Sequence, residues 1–219
     1  MSQTASERIL EHIRQGDADS VLAALDREPT LIETSSPEGA SLLLYALYNR
    51  QATLAAAIAA RKKQLSIYEA AALGSADSVR TALDTDPSLA DSLSPDGFSL
   101  VGLAAFFGHA EVVKLLIERG ADVNRRAENA LQVSALHAAV SRQDLGLIES
   151  ILDAGADPNL PQQQGFTSLH AAAMSGNVAL VGLLMSRGAD PALINESGQT
   201  AAELAAARGH EKAAAASRA

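Results

Sequence analysis

The chain has 219 residues, of which 47% are hydrophobic and 20% are charged, and its formal net charge at pH 7 is -9. This composition excludes a disordered chain and predicts a substantial core, and the lack of cysteine excludes disulfide bonds and thiolate metal sites. The negative charge would repel a phosphate backbone, so nucleic acid is not expected as a partner.

The N-terminal segment MSQTASERILEHIRQG contains acidic residues and no uninterrupted apolar run, so it lacks the pattern of a secretory signal. No stretch approaches the roughly 20 apolar residues that a membrane-spanning helix needs. We therefore expect a cytoplasmic, monomeric protein without a membrane partner. Aromatic residues make up only 3% of the chain, so its core should consist of Leu, Val, Ile and Ala in closely packed helices.

Short helices are predicted along the whole chain, beginning with one near residues 6–15. One apolar anchor residue can be assigned to each of seven segments, with spacings of 34, 24, 34, 35, 33 and 33 residues. A Ser or Thr two residues before the anchor is predicted to cap the helix in five segments, and a Gly seven residues after it is predicted to end the helix in five. The anchors are Ile9, Leu43, Ile67, Val101, Leu136, Leu169 and Ala202; the caps are Ser41, Ser99, Ser134, Thr167 and Thr200; the glycines are Gly16, Gly74, Gly108, Gly176 and Gly209.

In the C-terminal half, a second helix in each segment ends at a Gly-Ala-Asp turn. The turns lie in IERGADVN, LDAGADPN and MSRGADPA, which begin at Ile117, Leu152 and Met185. Aspartate in a turn commonly accepts hydrogen bonds from nearby backbone. Asp122, Asp157 and Asp190 are therefore interpreted as structural.

The segments SALH at 134–137 and TSLH at 167–170 resemble the TPLH signature of the ankyrin repeat, although the proline is absent. The seven anchor residues are those at the leucine position of this signature. The second of them continues with paired alanines and closes at Gly176, and weaker copies occupy 99–102 and 200–203. The resemblance implies an all-α fold, an ankyrin-repeat solenoid of about seven stacked helix pairs with β-turn fingers. The whole chain would form one domain with approximate units 4–36, 37–62, 63–95, 96–128, 129–161, 162–194 and 195–219.

The N-terminal half is expected to be irregular. Between Leu43 and Ile67 about ten residues are missing relative to the other spacings. These are the residues that would form a turn and a finger, so AARKKQLS should join two helices directly. Two other connections, LDREPTLIETSSPEG and LDTDPSLADSLSPDG, share a Pro-x-Leu and a later Pro-x-Gly, and are interpreted as a variant finger.

Histidines at equivalent positions, His137 and His170, could suggest a metal site, but no third ligand is apparent near them. The family resemblance implies instead that each histidine orients its turn by hydrogen bonding, and that His109 and His210 fill a recurrent Gly-His position. No nucleophile elbow, phosphate-binding loop or zinc-protease motif is present. We therefore expect no catalytic residues, no metal and no cofactor.

The resemblance also implies that a partner protein contacts the fingers and the two residues before each closing glycine. All four Phe residues of the chain occupy such positions. On a helical wheel that starts at Val101, Phe106 lies at about 140°, away from the small residues that face the stack, whereas Phe107 lies about 40° from Leu103 and is interpreted as partly core. The candidate partner-binding residues are Tyr48, Leu73, Phe98, Phe106, Phe107, Arg142, Phe166 and Met174.

The sequence leaves other interpretations open. Phe98 and Phe166 could pack their fingers onto the next helix instead of contacting a partner. The gap left by the missing finger, beside Arg61, Lys62 and Lys63, could bind an anionic small molecule or a peptide, which would make the chain a sensor. An incompletely capped end could support self-association. The favoured interpretation is a non-catalytic scaffold or adaptor for an unidentified protein, whose rigid surface loses little entropy on binding.

Overall fold

The computed structural model describes residues 3–218. In that range the chain forms fourteen α-helices and three short 3-10 helices, and its β-structure is limited to three isolated bridges. The predicted all-α class is confirmed, and no helix in this range is long and apolar enough to cross a membrane. The α-helices are α1 Ala5–Gln15, α2 Ala18–Arg27, α3 Leu42–Tyr48, α4 Ala52–Arg61, α5 Ile67–Ala72, α6 Ala76–Thr85, α7 Leu100–Phe107, α8 Ala110–Glu118, α9 Ala135–Arg142, α10 Leu145–Asp153, α11 Ser168–Met174, α12 Val178–Ser186, α13 Ala201–Ala207 and α14 Glu211–Ala216.

Each odd-numbered helix begins after a serine or a threonine. At Ser41, Ser99 and Thr200 the side-chain hydroxyl accepts a backbone N–H from the first turn, as predicted. At Ser134 and Thr167 the backbone N–H of the cap residue instead donates to the imidazole Nδ1 of the histidine three residues later, over 3.1 Å in both helices. Both helices therefore begin with a capping box in which a histidine takes the third helical position, and each hydroxyl also contacts the same ring nitrogen at 2.8 Å.

Two caps lie outside the predicted spacing. Thr4 precedes α1 and Ser66 precedes α5, and each forms a capping box with a glutamate three residues later, Glu7 or Glu69. The spacing missed them because α1 has 11 residues and α5 has 6, whereas the other odd-numbered helices have 7 or 8.

The residue that closes each odd-numbered helix region has a positive φ. The five predicted glycines have φ values between 73° and 81°. Arg50 and Gln143, at the equivalent positions of the two units that lack the glycine, have φ values of 61° and 58°. A side chain in this conformation costs about 1–2 kcal/mol, so the stack keeps the turn geometry even where the glycine signal is absent.

Consecutive helices pack as pairs, α1 with α2 through α13 with α14, and each odd-numbered helix also packs against the next odd-numbered helix. The buried apolar residues form two large clusters, one within residues 9–58 and the other within residues 67–214. A third, small cluster combines residues from both sides of this division. It consists of Ala40, Leu44 and Ala72, with Leu47, Tyr48, Tyr68 and Phe107 packed against it.

Five turn loops connect one helix pair to the next, here named loop A (residues 34–41), loop B (92–99), loop C (127–133), loop D (161–167) and loop E (194–200). An isolated bridge joins the two ends of loops A, B and E. Loop C is closed by the hydrogen bond from the Ala127 N–H to the Val133 carbonyl, and loop D by that from the Gln162 N–H to the Phe166 carbonyl, both 2.8 Å.

The two connections with the Pro-x-Leu pattern differ from the others. Each begins with a 3-10 helix, Pro29–Glu33 before loop A and Pro87–Asp91 before loop B. The 3-10 helix stands where the C-terminal half of the chain has its Gly-Ala-Asp turn, so these two connections differ from the others.

The Gly-Ala-Asp turns are linked to one another by side chains. As predicted, the carboxylates of Asp122, Asp157 and Asp190 accept the backbone N–H two residues later, at 2.8 to 2.9 Å. In addition, the amide oxygen of Asn124 accepts the N–H of Asp157 at 2.8 Å, and that of Asn159 accepts the N–H of Asp190 at 2.7 Å. Each asparagine therefore connects its own turn to the next one.

No turn loop lies between α4 and α5, because residues 62–66 join the two helices directly. Lys62 of this connection forms an ion pair with Glu69, with 2.8 Å between the ammonium and the carboxylate. The Glu69 carboxylate also accepts the Ser66 N–H at 2.9 Å and the Ser41 hydroxyl at 2.7 Å, and Glu69 is only 1% exposed. A buried polar cluster thus joins α3 to α5 where a turn loop is missing.

Candidate functional site

Tyr48, the last residue of α3, is the centre of an aromatic cluster. Its ring centroid lies 6.0 Å from that of Phe98, 6.3 Å from that of Phe106 and 5.8 Å from that of Phe107. Phe106 and Phe107 meet edge to face at 5.0 Å, and all of these separations fall in the range of about 4.5–7 Å that is typical of aromatic pairs. The fold therefore brings together four of the predicted partner-binding residues.

A hydrogen bond fixes Tyr48 against loop B. Its hydroxyl donates to the Asp96 carboxylate at 2.8 Å, and the same carboxylate accepts the Ser94 hydroxyl. Burial and the adjacent negative charge of Asp96 both raise the pKa of Tyr48. The phenol therefore remains protonated and acts as a donor, which holds the aromatic ring in one position.

Loops A and B are in direct contact. A Cβ atom placed on Gly39 of loop A would lie 2.5 Å from the carbonyl oxygen of Pro95 in loop B. The two loops can approach this closely because residues 62–66 form no loop between them. The shortened connection is thus the reason that Tyr48 reaches Asp96, which lies 48 residues away in sequence.

An apolar groove of about 570 Å³ opens beside the aromatic cluster. Helices α3, α7 and α9 and Ala171 of α11 contribute to the lining of the groove, together with loops A, B and C and Gln162 of loop D. Phe106 and Leu131, which both line it, are 45% and 47% exposed. Large apolar side chains in an open groove are typical of interaction sites.

A second cavity of about 420 Å³ adjoins the apolar groove, because both are lined by Leu131 and Gln162. Two further predicted residues, Phe166 of loop D and Met174 of α11, line this second cavity. Phe166 also contacts the ring of His170, with 5.7 Å between the centroids. Phe166 therefore packs against α11 and also lines the second cavity.

Three of the predicted residues lie outside the walls of both cavities. Leu73 is half-buried and packs against the hydrophobic cluster of residues 9–58. Phe107 is half-buried and stacks on Tyr48, in agreement with the partly core position that the helical wheel predicts. Arg142 is exposed, and its guanidinium donates to the Phe106 carbonyl at 3.2 Å.

Sequence reasoning missed Leu131, Asp96 and Glu38, which line the apolar groove. Leu131 had a detectable signal, because it is a large apolar residue in loop C. Asp96 had none, since it stands in a Pro-Asp-Gly turn and becomes part of the site only through the contact with Tyr48.

The two signature histidines have the structural role that the family resemblance implies. The Nδ1 atoms of His137 and His170 each accept the N–H of their helix cap, and the Nε2 of His170 lies 3.1 Å from the Gln199 carbonyl. Burial lowers the pKa of His137 to about 4 and also lowers that of His170. Both rings are therefore neutral at pH 7. Over residues 3–218, no group of three or more His, Cys, Asp or Glu is arranged to hold a metal ion.

The basic cluster is largely neutralised by acidic neighbours. The Arg61 guanidinium lies 3.2 Å from the Asp26 carboxylate, and Lys62 is paired with the buried Glu69. Lys63 alone of the three is an exposed cation without such a pair in the described part of the chain. The geometry thus gives little support to an anion site at this position.

A family model described as ankyrin repeats (3 copies) matches residues 67–160 and 136–216. Together the matches extend over residues 67–216, which is more than half of the chain. They begin at the first residue of α5, directly after the shortened connection. The part of the chain before residue 67, for which the sequence predicts an irregular arrangement, lies outside the matched region.

Curated relatives also contain ankyrin repeats. The chain is 31% identical to the ankyrin repeat and SAM domain-containing protein 6 of Rattus norvegicus over 107 residues, which are 49% of the chain and 12% of the rat protein. It is 39% identical to an ankyrin repeat-containing protein of Treponema pallidum over 79 residues, which are 36% of the chain and 26% of that protein. The chain thus spans only a small part of the length of these relatives.

Proposed function

Because the chain belongs to the ankyrin-repeat family, we propose that it is a non-catalytic scaffold or adaptor that holds a partner protein in the apolar groove and the second cavity. Ankyrin repeats are in general modules of protein–protein interaction. The observation that carries the proposal is the exposure of Phe106 and Leu131 in the same groove, beside a fixed aromatic cluster. Aromatic residues are frequent anchors of binding hot spots.

We also propose that the fourteen helices form seven ankyrin-type units, with the boundaries derived from the sequence, and that loops A to E are the β-turn fingers of these units. The finger between the second and third units would be the missing one. Pairwise helix packing and the hydrogen-bonded closure of each loop support this division.

The loops are connected to each other, which makes the groove a rigid surface. The N–H of Glu128 in loop C donates to the Gly97 carbonyl in loop B at 2.8 Å, and the Asn129 amide donates to the Asp96 carbonyl at 2.9 Å. The N–H of Gln163 in loop D donates to the Leu131 carbonyl at 3.0 Å. A surface that is already ordered loses little conformational entropy when a partner binds.

We expect Phe106→Ala to weaken partner capture by roughly 30-fold, which corresponds to a hot-spot contribution of about 2 kcal/mol. Its effect on the free energy of unfolding should stay below about 1 kcal/mol, because nearly half of the side chain is exposed. The measurement is affinity capture from a native lysate followed by mass spectrometry, together with thermal unfolding of the purified variant.

A matched control is Leu145→Ala, which truncates another exposed apolar side chain, 38% exposed, at the start of α10. This variant should capture the same partner as the unmodified chain. If the Phe106 variant retains full capture and instead unfolds at a much lower temperature, Phe106 belongs to the core and the proposed site is wrong.

A further inference from the structure

Charge is distributed unevenly along the two adjoining cavities. The apolar groove is lined by two carboxylates, Glu38 and Asp96, and by no lysine or arginine. The second cavity is lined by Arg208 and by no carboxylate. His137, which also lines the groove, is neutral at pH 7 because burial lowers its pKa to about 4.

The two end charges are available to a ligand. The carboxylate of Glu38 and the guanidinium of Arg208 are exposed, and neither forms a hydrogen bond or an ion pair with another side chain within residues 3–218. Asp96 differs, because its carboxylate already accepts hydrogen bonds from Tyr48 and Ser94. Glu38 is therefore the acidic group that can pair with a ligand.

Apart from Asp96, the charged side chains near the middle of the site line neither cavity and have other contacts. Arg142 donates to the Phe106 carbonyl on the helix side of the groove, and Arg126 donates to the Pro161 carbonyl. Glu128 of loop C lies 3.3 Å from the Arg125 guanidinium. The middle of the site is consequently apolar, with Phe106 and Leu131 as its largest exposed groups.

We propose that the partner of the proposed function presents a protein segment with a lysine or arginine at the Glu38 end, bulky apolar side chains over Phe106 and Leu131, and an acidic side chain or C-terminal carboxylate at the Arg208 end. The inference rests on the proposed function and adds the chemistry of the partner to it. Charge complementarity at both ends, with an apolar centre, carries the assignment. This charge complementarity also fixes the orientation of the bound segment: its basic end lies at loop A and its acidic end lies near α13.

The test is selection of binders from a random 12-residue peptide library displayed on phage, with the full chain immobilised. The unmodified chain should enrich peptides in which apolar residues separate a basic from an acidic residue. Selection on Glu38→Lys should deplete the basic residue, and selection on Arg208→Glu should deplete the acidic one. Each charge reversal should weaken binding of the original peptides by roughly threefold to tenfold in calorimetric titration.

Charge reversals at exposed sites outside both cavities serve as controls: Glu149→Lys on α10 and Arg80→Glu on α6 should leave the enriched pattern unchanged. One contrary outcome is enrichment of peptides that require Phe106 but show no charge pattern. Another is peptide binding that neither Glu38→Lys nor Arg208→Glu weakens. Either outcome overturns this inference but leaves the protein-binding function supported. If no peptide is enriched relative to a Phe106→Ala selection, both the inference and the proposed function fail.

Discussion

Replacing Glu69 by alanine is expected to lower the free energy of unfolding by about 3–5 kcal/mol, the cost of leaving one partner of a buried ion pair without its counter-charge. Glu69 is 1% exposed and the Lys62 side chain 9% exposed, so little water can replace the lost contact. The substitution also removes the acceptor for the Ser66 N–H at the start of α5 and for the Ser41 hydroxyl. Chemical denaturation of the variant measures the effect.

Two further variants separate the causes. Glu69→Gln keeps one oxygen, which can still accept the Ser66 N–H, and replaces the other by an amide NH2, which can only donate to the Ser41 hydroxyl. It also removes the negative charge, and it should be less destabilising than the alanine because part of the hydrogen bonding remains. Combining it with Lys62→Met removes the unpaired cation, and should recover part of the lost stability. A loss below about 1 kcal/mol for Glu69→Ala would show that the polar cluster contributes little to the free energy that holds α3 and α5 together.

The stabilisation by Glu69 should also depend on pH. Burial raises the pKa of Glu69, but hydrogen bonds from Lys62, Ser66 and Ser41 together outweigh burial and hold the pKa below its ordinary value of 4.5. Its contribution is therefore fully present above pH 4.5 and is lost as the pH falls through the lowered value. The stability difference between the unmodified chain and Glu69→Gln should shrink below pH 4.5, and a constant difference down to pH 3 would contradict this.

Gly39→Ala is expected to cost about 2–5 kcal/mol of unfolding free energy. About 1–2 kcal/mol comes from a side chain at a φ of 100°. A further 1–3 kcal/mol, roughly, comes from overpacking, because the new Cβ would lie 2.5 Å from the Pro95 carbonyl oxygen. The Pro95 carbonyl belongs to the backbone and cannot rotate away as a side chain can. Loops A and B must therefore separate to relieve the clash. Thermal and chemical denaturation measure the loss.

The control for this substitution is Gly120→Ala. Gly120 has a φ of 83°, but a Cβ there meets nothing within 4 Å, so the variant should show only the conformational cost of about 1–2 kcal/mol. Separation of loops A and B should also weaken peptide binding in the apolar groove, which Gly120→Ala should leave intact. Equal stability losses in the two variants would mean that the contact between loops A and B contributes nothing.

Most of the fold can be predicted from the sequence because the repeat depends on local patterns. Helical spacing of apolar residues, the closing glycines and the Gly-Ala-Asp turns each act over a few residues. The caps at Thr4 and Ser66 were missed because the lengths of α1 and α5 differ from those of the other units. The positive φ values of Arg50 and Gln143 could not be predicted, because the packing of the neighbouring helices imposes them and the residue type does not favour them.

The candidate site is less accessible to sequence reasoning. Phe106 was identified from its angular position on α7, since that depends only on the helix. The hydrogen bond between Tyr48 and Asp96 depends on how a five-residue connection brings distant units together, and no local pattern encodes it. Leu73 has the same position in its unit as Phe107, yet packs against the N-terminal cluster because α5 is the first helix after that connection.

The division of the hydrophobic core has a consequence for binding. Units in a linear stack contact only their neighbours, so each boundary between units is a place where the stack can separate. The apolar groove is lined by residues from both sides of this division. Tyr45 and Tyr48 belong to the N-terminal side, and Phe106 and Leu131 belong to the C-terminal side. A ligand that contacts both sides binds only the docked arrangement, so its binding free energy adds to the stability of residues 9–58 by thermodynamic linkage. The partner would then serve as a clamp across this division of the core.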